Sequence, residues 1–526
     1  MIKDFLFKDD ARNKLFKGVE AVYNAVSPTL GPRGKLVAID TGYHTDITKD
    51  GVSVARQVFL KDKFENLGVQ LAKECAIKAG DVGDGTTTTC ILAYALAKEG
   101  LKALTTGVSS VEIISGMKKA VEKFCKELES KAVQITSNEL IYNVAKISSN
   151  GDEKIASLVK QAFEEIGNSA KINVDESNTS ETYLEVKKGL SFDKGYISPY
   201  FSNNEKMESE LKDTFILVTD QTISTVNQII RLLNDIAGTG RPLVIIAEDV
   251  TGEALPVLIQ NNLKGALRVN AIKAPSYGSN KKEILQDIAI MTGATFVSND
   301  FGISVNDVSL EMLGSAEKVI SNSEETIIVG GKGKQETIEN RINELKILLE
   351  EEKTQRFKDK IRERISKFNG GVCVINIAAQ TEAQMKEIKD RVDDTICAVR
   401  ASIKNGVITG GGVSLLLAGK ASTDENLNEG ELIGWNIVKK ALEYPLRKLA
   451  ENAGMSPDVV LLDTLNKSDG KSGYNILTRE WDEKLSDKVI DPVLVETSAL
   501  KNALSITSLL LNTEVSIVEI EEEKQG

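Results

Sequence analysis

The sequence predicts a multidomain α/β protein in which one domain is inserted into another. The chain of 526 residues exceeds what a single hydrophobic core organises. Both ends of the chain are rich in helical patterns, whereas the middle alternates strands with helices. An inserted domain produces this arrangement, and the two connecting segments beside the insertion would form a hinge.

Helical spacing of apolar side chains organises the first part of the chain. It predicts a helix over 10–27, which stops at Pro28 because proline does not continue a helix. Largely buried helices are predicted over 64–79, 90–104 and 110–130. This part of the chain is therefore expected to be mostly helical.

The pattern changes between residues 188 and 372. A charged stretch over 335–367 predicts a helical hairpin. Before it, strands and helices alternate, which indicates an α/β domain. The strands are predicted at 215–219, 243–247, 270–273, 295–298 and 326–329, and the helices at 224–237 and 252–264.

An amphipathic helix is predicted over 382–404. Asp394 lies two residues, or about 200° of helical turn, from Val392 and therefore projects away from the apolar stripe. After Gly410-Gly411-Gly412, long helices return and a β-rich segment ends the chain. The stripe consists of Met385, Ile388, Val392, Ile396, Val399 and Ile403.

Composition argues against several functional classes. A net charge of −12 and an isoelectric point of about 5.1 argue against nucleic-acid binding, which needs a basic face. Five cysteines without a CxxC pair favour a reducing compartment, and a single histidine argues against a histidine-based triad or metal site. No apolar stretch is long enough to span a membrane and no signal-peptide pattern is found, so no membrane partner and a cytoplasmic location are expected.

The stretch Gly83-Asp84-Gly85-Thr86-Thr87-Thr88-Thr89 is the strongest candidate for a phosphate site. Its glycines permit a tight turn, and its threonines open an apolar run that is predicted to be a helix. Unpaired N–H groups and the partial positive charge at a helix N-terminus suit phosphate. A threonine-capped helix after a glycine turn is the alternative, and this stretch by itself does not decide between the two.

Neither the P-loop pattern nor GxGxxG after a strand occurs, so a nucleotide site must be built differently. Asp84 is a candidate Mg²⁺ ligand, because hard cations prefer carboxylate oxygen. Asp50, beside Gly51, is a candidate for orienting water, and Asp394 for acting as general base. Taken singly, each acid fits a turn or a solvated helix position better than a catalytic one.

Taken together, these stretches resemble the group I chaperonins, in order and nearly from end to end. Further matching stretches lie at 10–12, 29–32, 47–55, 63–66, 192–201, 246–250, 410–413 and 473–475. The resemblance implies an equatorial ATPase domain (1–130 and 405–526), an intermediate hinge domain (131–187 and 373–404) and an apical substrate domain (188–372).

The resemblance also implies an ATP site with Mg²⁺ and K⁺ as cofactors, in which Asp50 and Asp394 serve hydrolysis. Asp394 would reach the γ-phosphate only after the hinge domain closes, so closure would gate hydrolysis. The residues implied to bind nucleotide are Thr29, Leu30, Gly31, Pro32, Lys49, Asp84, Gly85, Thr86, Thr87, Thr88, Gly411, Asn475, Ile476, Leu477 and Asp491.

The implied partners are unfolded client proteins, further copies of the chain in seven-membered rings, and a lid-like co-chaperonin, whose need the sequence leaves open. Core packing of two amphipathic helices is the alternative for the residues implied to bind clients. Those residues are Tyr196, Tyr200, Phe201, Ile230, Leu233, Leu255 and Ile259.

Several departures from the family pattern leave a rival open. The turn before Asp84 is one residue shorter than usual, Gln260 replaces an apolar residue, and an acidic end replaces the Gly/Met-rich tail. Ser456 stands where the resemblance places the glutamate that pairs with Arg447 between two rings. The rival is a non-cycling binding or scaffold protein with the same fold, and the intact acids argue against it.

Overall fold

The computed structural model describes residues 2–40, 42, 45–80, 85–166, 171–177, 179–204, 207–276, 279–352, 354–369, 371–421 and 426–520. The chain divides into two compact units. The first unit comprises Met1–Glu164, Val174–Tyr183 and Asn376–Gly526, and the second comprises Glu165–Asn173 and Leu184–Ile375. The main segment of the second unit, Leu184–Ile375, nearly coincides with the predicted insertion at 188–372. The division into three domains stays a prediction.

Helices dominate the first unit. They are α1 (Lys8–Val26), α2 (Gly51–Gln57), α3 (Lys63–Gly80), α4 (Thr86–Leu104), α5 (Ser110–Ser130), α6 (Asn138–Ser148), α7 (Glu153–Ile166), α13 (Glu382–Asn405), α14 (Val413–Ala418), α15 (Glu429–Ala441), α16 (Tyr444–Asn452), α17 (Pro457–Lys467) and α18 (Val493–Asn512), of which α7 ends across the unit boundary. None of the helices in the described part of the chain has the length and apolar character that crossing a membrane requires.

Short two-stranded sheets join distant parts of the first unit. Strand β1 (Ile2–Phe7) pairs antiparallel with β19 (Val515–Ile520), so the two ends of the chain meet. The other pairs are β2 (Val37–Asp40) with β3 (Thr45–Thr48), β15 (Val407–Thr409) with β18 (Ile490–Pro492), and β16 (Gly473–Asn475) with β17 (Glu480–Asp482).

The core of the first unit surrounds α4. This helix is buried over most of its length, with Leu92 and Leu96 fully enclosed. It packs against α1, α3, α15 and α18, while α5 packs against α15 and α18. In its first turn, α4 presents partly exposed side chains at Thr87 and Thr88.

The second unit is built on a mixed sheet of nine strands. The order is β10-β8-β6-β12-β13-β5-β14-β4, and β11 pairs with β6 beside this path. The strands are β4 (Lys171–Glu176), β5 (Tyr183–Phe192), β6 (Ser209–Thr219), β8 (Leu243–Ala247), β10 (Val269–Lys273), β11 (Phe296–Val297), β12 (Gly314–Ser321), β13 (Thr326–Gly331) and β14 (Gly371–Ile377); β7 (Thr222–Ile223) and β9 (Asp249–Val250) form a separate pair.

Helices cover both faces of this sheet. Strand β8 is buried along its whole length, with Leu243 and Ile245 in one apolar cluster and Val244 and Ile246 in the other. Alternation of side chains with period two produces this division. The helices are α8 (Ile230–Ala237), α9 (Ala254–Leu263), α10 (Ser279–Thr292), α11 (Gln335–Glu351) and α12 (Gln355–Asn369), and the last two form the expected helical hairpin.

Candidate functional site

The N-terminus of α4 lies at the centre of the candidate nucleotide site. Gly85 precedes the helix with φ +87°, a conformation that favours glycine, and no side chain caps the helix there. The Thr89 N–H and hydroxyl both donate to the Gly85 carbonyl, at 2.8 Å each. Helix geometry leaves the first-turn N–H groups without acceptors inside the helix, so this turn suits an anion.

Two other segments meet this turn. A Cβ on Gly51 would lie 2.5 Å from Thr87 Oγ1, so a larger residue at this position would displace the Thr87 hydroxyl. The Thr29 hydroxyl lies 3.4 Å from Thr87 Oγ1. The structure therefore brings the predicted residues Thr29, Asp50 and Thr87 together from three separate parts of the sequence.

Asp50 caps helix α2. Its carboxylate oxygens accept hydrogen bonds from the backbone N–H groups of Val52, at 3.2 Å, and Ser53, at 2.7 Å. These bonds fix the orientation of the carboxylate beside the first turn of α4. A carboxylate held in this way is suited to orienting a water molecule.

The glycine turn at 410–412 contacts Asp491. The Gly411 N–H donates to Asp491 Oδ2 at 3.1 Å, and the pairing of β15 with β18 places Ile408 opposite Asp491. Helix α18 follows β18 directly, and a Cβ on Gly85 would lie 2.6 Å from Val495 Cγ1. Gly411 and Asp491 therefore belong to the same side of the first unit as the start of α4.

The loop at 29–34 and the turn at 475–478 form a further wall. The Asn452 amide donates to the carbonyls of Ser27, at 3.0 Å, and Leu30, at 3.1 Å. Ile476 is buried in the same apolar cluster in which Leu30 packs. The predicted residues Leu30, Gly31, Pro32, Asn475, Ile476 and Leu477 all lie on these two segments.

Asp394 is half-buried on α13, while Val392 and Ile396 are buried, as the apolar stripe predicts. Helix α13 packs against β18. Arg391, one helical turn before Asp394, is close enough to Lys49 to act on its charge: burial, and then Arg391, lower the pKa of Lys49 from 10.5. Lys49 makes no hydrogen bond or ion pair in the described part of the chain, whereas Arg391 pairs with Glu387 and, at 3.5 Å, with Asp152. An anion at this site would therefore engage Lys49.

The predicted metal ligand, Asp84, lies outside the described residues. Within the described ranges, no group of three or more histidine, cysteine or acidic side chains is arranged to hold a metal ion. The chemistry of the site nevertheless fits a Mg²⁺-nucleotide, because phosphate oxygens supply most ligands of such an ion. Asp84 directly precedes Gly85 and the start of α4.

The predicted client-binding residues are only partly exposed. Tyr200 is 63% exposed and Ile230 is exposed, while Tyr196, Leu255 and Ile259 are half-buried against the core of the second unit. Phe201, at 1% exposed, and Leu233, at 8%, belong to that core. Their assignment to an exposed surface is wrong, because both side chains face the sheet.

Leu263 is an exposed apolar residue that was not among the predicted client-binding residues. Leu263, at the end of α9, is 66% exposed and lies four residues after Ile259, hence on the same side of the helix. The Asn262 amide donates to the Tyr200 carbonyl at 3.3 Å, which places Tyr200 beside this end of α9. Continuing the helical spacing from Leu255 and Ile259 by one turn would have found Leu263.

Known proteins share this fold and sequence pattern. Residues 22–521 match the model of the TCP-1/cpn60 chaperonin family. This chain is similar in structure to the chaperonin gp146 from bacteriophage EL 2 (Pseudomonas aeruginosa) in two crystal forms, both in the presence of ATP-BeFx. Crystal form II has 23% identity and a TM-score of 0.67, and form I has 24% identity and a TM-score of 0.61; each covers 98% of this chain and 99% of that protein.

At this identity the likeness to gp146 shows a shared fold, while the family match spans nearly the whole chain. The chaperonin fold expected from the sequence is thereby confirmed. The chain belongs to the TCP-1/cpn60 chaperonin family, as a divergent member.

Proposed function

We propose that this chain is an ATP-dependent folding chaperone. The observation that carries the proposal is the meeting of Thr29, Gly51 and Thr87 around the uncapped start of α4. In this proposal the phosphates bind to the first-turn N–H groups and to Lys49, and Asp491 with Gly411 completes the site. The structural relative gp146 was crystallised in the presence of ATP-BeFx, which supports a nucleotide at this fold's site.

Asp84 would hold Mg²⁺, which neutralises phosphate charge when it is bound, and K⁺ is a second proposed cofactor. Asp50 orients the attacking water, because backbone N–H groups already engage both of its oxygens. Asp394 serves as general base. It lies on α13, which packs against β18, the strand that carries Asp491 of the proposed site.

The second unit would capture unfolded proteins on exposed apolar side chains. Tyr200, Ile230 and Leu263 are exposed, and Leu255 and Ile259 are half-buried on the same helix as Leu263. Burial of apolar area has no directional demand, so such a surface accepts many clients. Copies of the chain would form a ring, proposed to have seven members, that encloses the client in the cytoplasm with or without a co-chaperonin lid.

ATP drives such a cycle only when it binds two conformations with different affinity. The test is an ATPase assay of the purified protein, combined with electron microscopy of particles with and without ATP. Steady hydrolysis and a nucleotide-dependent ring shape are expected. Client binding without hydrolysis would instead identify a non-cycling scaffold.

Asp84→Ala is expected to weaken binding of Mg-ATP, because the proposed metal ligand is lost. ATP in the presence of excess EDTA should bind the variant and the wild-type protein equally. Titration calorimetry with both forms of the nucleotide measures the difference. Unchanged Mg-ATP affinity would exclude Asp84 as the metal ligand.

We also expect weak association between rings. The Arg447 guanidinium donates to Glu443 at 3.1 Å and also pairs with Asp458, so it is engaged within its own chain. The resemblance implies an ion pair between rings that joins Arg447 to a glutamate, and Ser456 stands at that glutamate position. An exposed ion pair contributes only about 0–1 kcal/mol, but its absence is repeated at every subunit of the ring. Sedimentation at micromolar concentration should show single rings in at least one nucleotide state, and uniform double rings in the apo, ADP and ATP states would contradict this.

A further inference from the structure

Met207 is presented at the surface of the second unit beside the proposed client-binding residues. Its side chain is 53% exposed, and it is the most exposed methionine in the described part of the chain. The Tyr196 hydroxyl donates to the Met207 carbonyl at 3.0 Å, and the Ser202 hydroxyl lies 4.0 Å from Met207 Sδ. Ser202 directly follows the short turn Pro199–Phe201, which carries Tyr200. Met207 therefore adjoins the proposed client surface.

Hydrogen bonds around Met207 fix its backbone. The residue has φ +57°, a left-handed conformation that residues with a side chain rarely adopt. Its N–H donates to the Asn204 carbonyl at 3.2 Å, and Asn204 Oδ1 accepts from the Glu208 N–H at 2.9 Å. The Asn203 amide donates to the Glu210 carbonyl at 2.8 Å and accepts from the Glu210 N–H at 2.9 Å. These bonds hold the segment in a shape that leaves the thioether exposed.

The thioether of a methionine combines two properties. Its flexible, polarisable chain adapts to many apolar partners, and a peroxide can convert it into a polar sulfoxide. In that reaction a lone pair on Sδ attacks one peroxide oxygen, and an S–O bond forms as the O–O bond breaks. Sulfur loses two electrons and the peroxide gains them, so hydrogen peroxide leaves as water and no further reactant is needed.

Four of the five cysteines compete poorly for a peroxide. The thiolate is the reactive form, and burial in apolar surroundings lowers the fraction of a thiol that is ionised. Burial raises the pKa of Cys90 to about 12 and those of Cys125 and Cys373 to about 11. It also raises the pKa of the buried Cys75. The exposed thioether is therefore more accessible to a peroxide than these four sulfurs.

We propose that Met207 is a client-contact residue whose oxidation to the sulfoxide by a peroxide lowers the capture of unfolded proteins. The inference rests on the proposed chaperone function and makes its client surface sensitive to oxidation. The reduced thioether adds apolar area beside Tyr196, whereas a sulfoxide oxygen retains its hydration and opposes burial against an apolar client. Reduction of the sulfoxide reverses the change.

The test compares capture before and after peroxide treatment in wild type, Met207→Leu and Met312→Leu. Catalase removes the hydrogen peroxide, and peptide mass spectrometry locates the added oxygen. Affinity is measured without nucleotide for reduced, carboxymethylated α-lactalbumin, which serves as a permanently unfolded probe. Wild-type affinity should fall about 3- to 10-fold when Met207 is oxidised, because about half of this side chain is available to a client. Treatment with both methionine sulfoxide reductases should restore it.

Met207→Leu has an apolar side chain without a thioether, so its treated form should bind the probe as tightly as its own untreated form. Met312→Leu is the matched control, because Met312 is half-buried against the core of the same unit. It should lose affinity on treatment as wild type does. Cys397, the half-buried fifth cysteine, is present in all three proteins, so any effect of its oxidation would appear in Met207→Leu as well.

Three outcomes would overturn the inference while leaving the chaperone function in place. They are unchanged probe affinity in wild-type protein that carries the sulfoxide at Met207, an equal loss of affinity in Met207→Leu, and a Met207 that stays reduced while other sulfur atoms are oxidised. Untreated wild-type protein that does not bind the probe would overturn the proposed client capture itself. The untreated titration therefore separates the two failures.

Discussion

Asp394→Ala is expected to bind ATP nearly as tightly as the wild-type protein and to hydrolyse it about 10²–10⁴-fold more slowly, which is the usual contribution of a general base. The phosphate contacts proposed at the start of α4 and at Lys49 do not involve this carboxylate. Single-turnover hydrolysis of pre-bound ATP measures the chemical step, and equilibrium binding measures affinity separately.

Asp393→Ala is the matched control for that experiment. Asp393 precedes Asp394 on α13 and is also half-buried, but its position is about 100° away around the helix. We expect it to retain most of the hydrolysis rate. Wild-type turnover in Asp394→Ala, or an equal loss in both variants, would remove Asp394 from the proposed mechanism.

Tyr200→Glu is expected to abolish capture of an unfolded client while leaving the Tm of the protein nearly unchanged. The side chain is largely exposed, so a charge there stays hydrated in the free protein, but it must be desolvated against an apolar client. Suppression of aggregation of a chemically denatured client, measured without nucleotide, reports capture. Normal capture would show that Tyr200 is not part of the client surface.

Leu233→Glu provides the contrast in the same unit. Leu233 packs in the sheet core with Leu217 and Ile245, so a carboxylate there is buried without a partner. We expect a loss of about 3 kcal/mol or more of stability, which thermal unfolding followed by circular dichroism would detect. A stable Leu233→Glu variant that fails only in capture would show instead that this position is accessible to clients.

Local patterns in the sequence predicted several of the long helices and the central strands of the second unit. Helix α5 and strand β8 begin and end at the predicted residues, and the expected hairpin forms helices α11 and α12. Periodicity of apolar side chains is a local property, so it survives whatever the rest of the chain does. Strand β1 was not predicted, because it exists only through pairing with β19 at the opposite end of the chain.

The candidate site was also predicted in part. The motif resemblance named Thr29, Asp50 and Thr87, and the structure brings them together. It did not indicate that the Arg33 guanidinium donates to the Leu477 carbonyl, at 2.7 Å, since this contact is not encoded in spacing along the chain.

The sequence by itself determined the family, the chaperonin fold and the chemical types of the residues at the candidate site. These follow from ordered motifs and local periodicity, which need no knowledge of packing. Only the tertiary structure decided which apolar side chains are exposed. Ile230 and Leu233 lie on one short amphipathic helix, yet Ile230 is exposed and Leu233 is buried. The cause is that a helix with a wide apolar face covers the sheet with part of that face, and the position of the sheet determines which part is buried.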